Sequence, residues 1–267
     1  AHSLPQSMPM PHPLKFLAFE TSTDMMSVAV GVGDQTWHVH TQGGANASAQ
    51  LIPSLHNLLA QAQIRLTDLS ALVIGHGPGS FTGLRTACSV AQGLAMGANL
   101  KVIPVDTLMA VAEDARASLS TALTSQVSVV MDARMGEVYG GAYAWHADSA
   151  QWHATVPLQV GPPAQVAQAL ITEHEASGVL AGNGFEVYAD AFSEALAKRR
   201  DAPVVCVPAV PHALALLRLA PALLAAGKAV DPEGVQPLYI RDKVAQTTAE
   251  REAIKAAKLA GLAPEGS

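Results

Sequence analysis

The sequence predicts an α/β protein of two lobes, each a mixed β-sheet with flanking helices. The pattern of apolar and polar residues gives the order β-β-β-α-β-α-β-α twice along the 267 residues. A glycine-containing loop follows the fourth strand of each unit, at residues 77–83 and 182–184. Three meandering strands followed by helical crossovers require a mixed sheet, and two such lobes leave a cleft between them.

The first unit begins with an apolar central strand at residues 14–20, and Gly33-Asp34 then marks the turn of a hairpin. Leucines at helical spacing follow, with Pro53 in the first turns of their helix or at a kink. The remaining predicted elements are strands 27–32 and 36–41, helix 51–62, strand 71–75, helix 82–97, strand 101–104 and a helix from about 107 to 119.

The second unit repeats that order. It is predicted to contain strands 126–132, 137–145 and 151–159, helix 162–177, strand 179–181, a helix ending near residue 200, strand 204–207 and helix 210–226. A short return segment follows at residues 237–241. We therefore expect a disordered leader (1–13), an N-terminal lobe (14–106), a C-terminal lobe (107–245) and a flexible tail (246–267).

Composition narrows the classes of function. The net charge of −6 opposes a free-standing nucleic-acid binder, which would normally present a basic face. Cys88 and Cys206 lie far apart without metal or redox spacing, so we expect both to be small buried hydrophobic residues in a reducing compartment. No apolar run is long enough to span a bilayer. The predicted location is the cytoplasm.

Polar residues follow the first strand of each unit, where both sets would face the cleft. A carboxylate there can hold Mg²⁺ and hydroxyls can contact phosphates, whereas the alternative is a polar turn whose hydroxyls bond to the backbone. Neither a Walker sequence with its lysine nor a dinucleotide fingerprint occurs. We therefore predict at most a vestigial nucleotide cleft, formed by Glu20, Thr21, Ser22, Gly77, Gly79, Ser80 and Asp132.

The first glycine loop allows a tight turn and a close approach to another surface. Ser80 suits the N-cap of the following helix. The loop can hold a phosphate at that helix end or simply turn the chain. Because phosphate-binding residues are missing elsewhere, we favour a fixed entry to a partner-binding helix.

The ten histidines give no HExxH pattern, and no metal site is predicted. His38 and His40 share one face of a strand, but no nearby cysteine or carboxylate completes a ligand set, so a solvated edge strand is expected. His76 could activate Ser80 as a nucleophile, yet the pattern GxSxG and an orienting acid are absent.

Four segments resemble the bacterial TsaB (YeaZ) family. They are LAFETSTDMMSVAV, GPGSFTGLR with the following SVAQGLAMGA, MDARMGEVYGGAY and PLYIRDKVA, and they occur in the expected order over residues 14–244. The resemblance implies two duplicated actin/Hsp70/sugar-kinase-like (RNase H-like) lobes, in agreement with the repeat. Two departures are visible: residues 45–50 hold no histidine, so the metal motif that TsaD carries on its first helix is missing, and Glu20 stands where the family usually has aspartate, which weakens any nucleotide contact there.

The resemblance also implies a function. Family members are non-catalytic subunits required for N6-threonylcarbamoylation of adenosine 37 in tRNAs that read A-starting codons. The implied partners are a TsaD-type transferase subunit, which the chain would activate, a TsaE-type ATPase and a second copy of the chain. The chain would contact tRNA only as part of the complex and would not bind membranes. ATP or ADP would bind only at the interface of the complex.

The implied partner interface comprises the first two helices, which pair with the partner's equivalents as a four-helix bundle. Its residues would be Leu51, Leu55, Leu58, Leu59, Ala87, Val90, Ala91 and Leu94. A stripe of small residues at i, i+4 spacing also runs along the second helix, formed by Gly83, Ala87, Ala91 and Ala95. This stripe either contacts a partner helix or packs inside its own lobe. If the stripe faces the partner, Ala91→Arg abolishes binding and leaves the lobe folded.

Three rival functions remain open at this stage. An autonomous ATP-dependent kinase or transferase of the same superfamily would use Glu20, Asp132 and the glycine loops. A metallopeptidase would need a ligand set that the sequence lacks. A homodimer with a regulatory role of its own is the third.

Overall fold

The computed structural model describes residues 12–43, 47–119, 125–173, 178–199 and 204–240. Within these ranges it contains two five-stranded sheets, which confirms the predicted α/β repeat. The strands of the first sheet are β1 (Lys15–Glu20), β2 (Met25–Val32), β3 (Gln35–Gln42), β4 (Ala71–Gly77) and β5 (Val102–Asp106). The strands of the second are β6 (Gln126–Asp132), β7 (Val138–His146), β8 (Gln151–Gly161), β9 (Val179–Gly182) and β10 (Val205–Pro208).

The two sheets have the same topology. The strand orders are β3-β2-β1-β4-β5 and, read from the matching edge, β8-β7-β6-β9-β10. The first strand of each unit pairs antiparallel with the second and parallel with the fourth, and the fourth and fifth are parallel. The carboxyl ends of β1 and β6 therefore occupy equivalent places in the two lobes.

The described α-helices are α1 (Ala47–Gln61), α2 (Phe81–Ala98), α3 (Thr107–Ser118), α4 (Pro163–Ala167), α5 (Gly184–Val187), α6 (Ala189–Ala197) and α7 (Ala213–Ala225). They pack against the sheets in three layers: α1 with α2, α3 with α7, and α4 with α6. In β1, Leu17 and Phe19 face α1 and α2, whereas Phe16 and Ala18 face the layer that contains α3 and α7. This alternation follows the period of two in a strand.

The last helix, α7, packs on the first sheet although it follows the last strand of the second. It contacts β1, β2 and β4, as well as α3. Helix α3 in turn contacts β6, β7 and β9 of the second sheet. The central apolar core therefore joins both lobes. The predicted lobe limits, 14–106 and 107–245, remain assignments along the chain, and most of the predicted leader and the whole tail lie outside the described residues.

Three local expectations need correction. The helix predicted at 162–177 is α4 followed by a π-helical segment, Gln168–Glu173. The helix predicted to end near residue 200 is broken into α5 and α6 at Tyr188, whose φ of −118° and ψ of 49° are not helical. Cys88 is buried as expected, but Cys206 is exposed, because β10 is an edge strand with β9 as its only neighbour in the sheet.

No helix in the described part of the chain is long and apolar enough to cross a membrane.

Candidate functional site

A cleft with a volume of about 510 Å³ lies between the lobes. Its first-lobe wall consists of residues 22–25, which follow β1, and residues 78–82 at the start of α2, and Thr107, at the start of α3 where the chain enters the second unit, also lines it. The opposite wall is built by residues 131–134, Tyr139, Asn183 and Val210. Of the residues predicted to form a nucleotide cleft, four line it: Ser22, Gly79, Ser80 and Asp132. Glu20, Thr21 and Gly77 lie outside the lining.

The glycine loop packs against the turn that follows β1. The Ser80 N–H donates to the Ser22 carbonyl at 2.8 Å, and Thr21 Oγ1 donates to the Gly83 carbonyl at 2.8 Å. A Cβ on Gly79 would lie 2.6 Å from Ser22 Cβ, and one on Gly83 would overlap the Thr21 carbonyl oxygen. The glycines are therefore explained by close approach to the turn at residues 20–24.

Ser80 caps helix α2, as predicted from the sequence, because its Oγ accepts a hydrogen bond from the Gly83 N–H at 3.4 Å. His76 does not serve as its base: His76 Nδ1 lies 3.1 Å from the Gln236 carbonyl oxygen. The nucleophile alternative weighed for this pair therefore has no support in the geometry.

The predicted return segment covers the outer side of the glycine loop. The Leu238 N–H donates to the His76 carbonyl at 2.7 Å, and the Leu238 carbonyl lies against Gly77, where a side chain would collide with it. The Tyr239 ring stacks on Phe81 with a centroid distance of 4.4 Å. Arg85 Nε donates to the Tyr239 hydroxyl at 3.0 Å. The start of α2 is therefore fixed from both sides.

Glu20 is buried against Gly75 of the neighbouring strand β4. Its side chain is 1% exposed, Oε1 accepts from the Ser22 N–H at 2.6 Å, and Oε2 has no hydrogen-bond partner among the described residues. Burial raises the pKa of this carboxyl group. Glu20 is therefore not placed to meet a metal ion in the cleft.

Asp132 is bound by groups of its own lobe. Oδ1 accepts from the Arg134 N–H at 2.9 Å and from the Tyr188 hydroxyl at 3.0 Å. The Asp132 N–H donates to Asn183 Oδ1 at 2.8 Å. The Arg134 guanidinium lies 3.8 Å from Asp132 Oδ2 and also donates to Asp24 of the first lobe. One arginine thus bridges carboxylates from both walls of the cleft.

Sequence reasoning missed the roles of Asp24, Arg134, Asn183 and Tyr188. Two signals were available. Asn183 belongs to the second glycine loop, and Arg134 belongs to the turn after β6, where residues 134–136 all have positive φ values of 62°, 56° and 76°. Such a left-handed turn is uncommon for non-glycine residues and often marks a position under functional constraint.

Two polar side-chain atoms in the cleft make no hydrogen bond in the described structure. Ser22 Oγ and Thr107 Oγ1 are buried side-chain atoms without a hydrogen-bond partner in the described structure, and both residues line the cleft. In the described ranges, however, no group of three or more histidine, cysteine, aspartate or glutamate side chains is placed to hold a metal ion.

The residues predicted for the partner interface are mostly internal. Six belong to the buried core of the first lobe: Leu51, Leu55, Leu58, Leu59, Ala87 and Ala91. Val90 and Leu94 are partly buried at its margin. The six buried side chains shape α1 and α2 but cannot touch a partner without rearrangement of that core.

The outer face of the same two helices carries different residues, which we call the outer helix face: Ile52 of α1 and Ser89, Gly93, Met96 and Gly97 of α2. Met96 and Ile52 are 63% and 43% exposed. A Cβ on Gly93 or Gly97 would meet no described heavy atom within 4 Å. Packing against the described residues therefore does not explain these glycines.

Comparison with known proteins gives consistent similarities. A family model described as tRNA N6-adenosine threonylcarbamoyltransferase (TsaD) matches residues 39–249. The chain is 34% identical to the Escherichia coli tRNA threonylcarbamoyladenosine biosynthesis protein TsaB, over 87% of this chain and 96% of the relative. It is 30% identical to the Haemophilus influenzae TsaB, over 86% and 95%. The solved structure of YeaZ from Pseudomonas aeruginosa superposes with a TM-score of 0.72 at 31% identity, covering 85% of this chain and 99% of that one.

Proposed function

The chain belongs to the TsaB (YeaZ) family of tRNA threonylcarbamoyladenosine biosynthesis proteins, and we propose that it serves this pathway as a non-catalytic subunit. It is required for N6-threonylcarbamoylation of adenosine 37 in tRNAs that read A-starting codons. It acts by dimerising with a TsaD-type transferase subunit and activating it. Activation follows if the transferase conformation that binds this chain is also the active one.

The state of the cleft supports a role without catalysis. Glu20 is buried against β4, and Arg134 bridges Asp24 and Asp132. A divalent cation would have to displace this guanidinium from both carboxylates before it could bind them. ATP or ADP is accordingly proposed only at the interface of the complex.

The proposed binding of a partner subunit rests on two glycines in the outer helix face, Gly93 and Gly97, beside which there is space for a side chain. A glycine in a helix interior costs about 1 kcal/mol relative to alanine, and nothing in the described chain approaches Gly93 or Gly97. Small residues allow a second helix to approach closely, and Met96 of α2 and Ile52 of α1 are exposed apolar side chains on the same two helices. We propose that this face, together with Val90 and Leu94 at its margin, binds the transferase subunit.

The same face serves a second copy of the chain when the transferase is absent. A TsaE-type ATPase joins the heterodimer, and tRNA is contacted only through the complex. The proposed location is the cytoplasm.

Reconstituted tRNA modification tests the role directly. We expect full modification only when the transferase, the ATPase and this chain are all present. Normal modification in the absence of this chain would refute the required role.

Gly93→Arg tests the surface. An arginine there improves helix propensity and meets open space, so the isolated chain stays folded, but its side chain blocks a second helix. We expect loss of co-elution with the transferase and loss of activation. Ser193→Arg, at an exposed position of α6, is the matched control and retains both. Equal binding by the two variants would place the interface elsewhere.

The alternative is an autonomous ATP-dependent kinase or transferase of the same superfamily. The matching family model carries the name of a transferase, and the unpartnered hydroxyls of Ser22 and Thr107 are available to a ligand in the cleft. Isothermal titration of the isolated chain with Mg-ATP separates the two functions. Micromolar binding accompanied by turnover would favour the enzyme, whereas no heat at millimolar nucleotide favours the subunit.

A further inference from the structure

Three histidine rings meet where α7 begins on the first sheet. The His212 ring stacks on His40 with a centroid distance of 4.4 Å and meets His38 edge-on at 6.1 Å. The solvated edge strand expected for His38 and His40 is therefore wrong for His40, which is partly buried against α7. The sequence could not indicate this contact because the third histidine lies far along the chain.

His212 is the N-cap of α7. Its Nδ1 accepts a hydrogen bond from the Leu214 N–H at 3.2 Å and lies 3.4 Å from Ser27 Oγ on β2. Ser27 Oγ in turn accepts from the Ala213 N–H at 2.9 Å. One histidine and one serine thus satisfy two of the free N–H groups at the start of the helix and tie that end to the first sheet.

This arrangement requires a neutral His212 ring. Protonation at Nδ1 would remove the acceptor used by the Leu214 N–H and would place a positive charge at a helix N-terminus, where the macrodipole opposes it. An Nδ1 that accepts a hydrogen bond also leaves the proton on Nε2, so the ring is not prepared to bind a metal ion through that nitrogen.

The charged and titratable groups around the ring disfavour its protonation. His38 and His40 face it from β3, Arg218 from α7, and Asp114 of α3 lies near both His40 and Arg218. Arg218 also binds Glu113 of α3 at 3.1 Å. Burial, followed by His40, His38 and Arg218, lowers the pKa of His212 to about 4, and burial lowers the pKa of His40 as well.

We propose that Ser27, His38, His40 and His212 form an acid-labile clasp, which holds the start of α7 against β2 and β3 and releases it on acidification before the rest of the protein unfolds. Because α7 contacts β1, β2 and α3 in the central layer, release of the clasp loosens the contact between the lobes. The device is independent of the proposed role in tRNA modification.

Hydrogen exchange of the Ala213–Leu217 amides in the full chain tests the clasp. If His212 titrates near its ordinary pKa of 6.5 in the open form and at about 4 in the closed form, the open population rises about 20-fold between pH 7 and pH 5. Protection factors, corrected for the intrinsic pH dependence of exchange, should fall by that factor. Amides in the middle of α2 provide the internal reference and should keep their protection.

His212→Asn is the decisive variant. Asparagine also caps helices but does not titrate, so protection of α7 should persist at pH 7 and lose most of its pH dependence. An equal acid-induced loss in this variant would overturn the proposal. So would a parallel loss of protection in α2 of the unmodified protein, because it would mean global unfolding.

His40→Gln gives a second and independent measurement. It removes the stacked ring that opposes the charge on His212, so the opening at pH 5 should become smaller than in the unmodified protein while the N-cap remains. Unchanged or larger acid-induced opening in this variant would contradict the role of His40 in the clasp.

Discussion

The carboxylate of Glu20 on β1 lies directly against the backbone of Gly75 on the neighbouring strand β4. A Cβ on Gly75 would overlap Glu20 Oε2. Gly75→Ala should therefore force the buried carboxylate or the strand to move, and we expect a loss of about 2–4 kcal/mol in the free energy of unfolding. Urea denaturation measures it. Gly93→Ala, which meets open space on a helix, should instead stabilise by about 0.5–1 kcal/mol; similar losses in both variants would contradict this account.

The buried Glu20 should also make stability depend on pH. Because burial raises its pKa in the folded state, Glu20 keeps a proton at pH values where the unfolded chain has lost it. The folded state then binds more protons, so its stability falls as pH rises from the ordinary glutamate pKa through the raised value. Glu20→Gln keeps an acceptor for the Ser22 N–H and removes this slope.

Denaturation of Glu20→Gln and of the unmodified protein at a series of pH values checks the sign. We expect the variant to be the more stable at neutral pH and the difference to vanish in acid. The opposite result would be a variant that is less stable than the unmodified protein at neutral pH and equally stable in acid. It would show that Glu20 is ionised in the folded state and that its charge stabilises the fold.

Glu113 is the centre of a buried charge network. It is fully buried and binds Arg116 at 2.8 Å, Arg218 at 3.1 Å and Trp152 Nε1 at 3.1 Å. Glu113→Ala removes the partner of two arginines and of a buried indole, and should cost about 3–5 kcal/mol. Thermal unfolding measures the loss. Glu194→Ala, which breaks an exposed pair with Lys198, is the comparison and should leave the unfolding temperature nearly unchanged, because water screens an exposed ion pair.

Ala91→Arg should unfold the first lobe rather than act on a partner. Ala91 is fully buried among apolar side chains of α1, α2 and the first sheet, so an arginine there introduces a buried charge and a large excess of volume. We expect destabilisation by about 3–5 kcal/mol, visible as a lower urea midpoint of the isolated chain. A midpoint equal to that of Gly93→Arg would show that the Ala91 side of α2 is free.

The sequence by itself determined the order of the secondary-structure elements, the duplication and the N-cap at Ser80. These depend on local patterns: a period of two in strands, a period of 3.6 in helices, and turn and cap residues within a few positions. The family was indicated separately, by the resemblance of four sequence motifs. It also indicated the strand ends that meet at the cleft, because equivalent strands of a duplicated fold end at equivalent places.

Only the tertiary structure decided which side of each helix is free and which distant groups meet. Small residues of α2 occur on two sides, and burial separates the internal Ala87 and Ala91 from the open Gly93 and Gly97. The Asp24–Arg134 bridge joins positions 110 residues apart, and the Ser27–His212 contact joins positions 185 apart. No local pattern encodes such pairs, because they form only when α7 crosses to the first sheet and the two lobes close on one another.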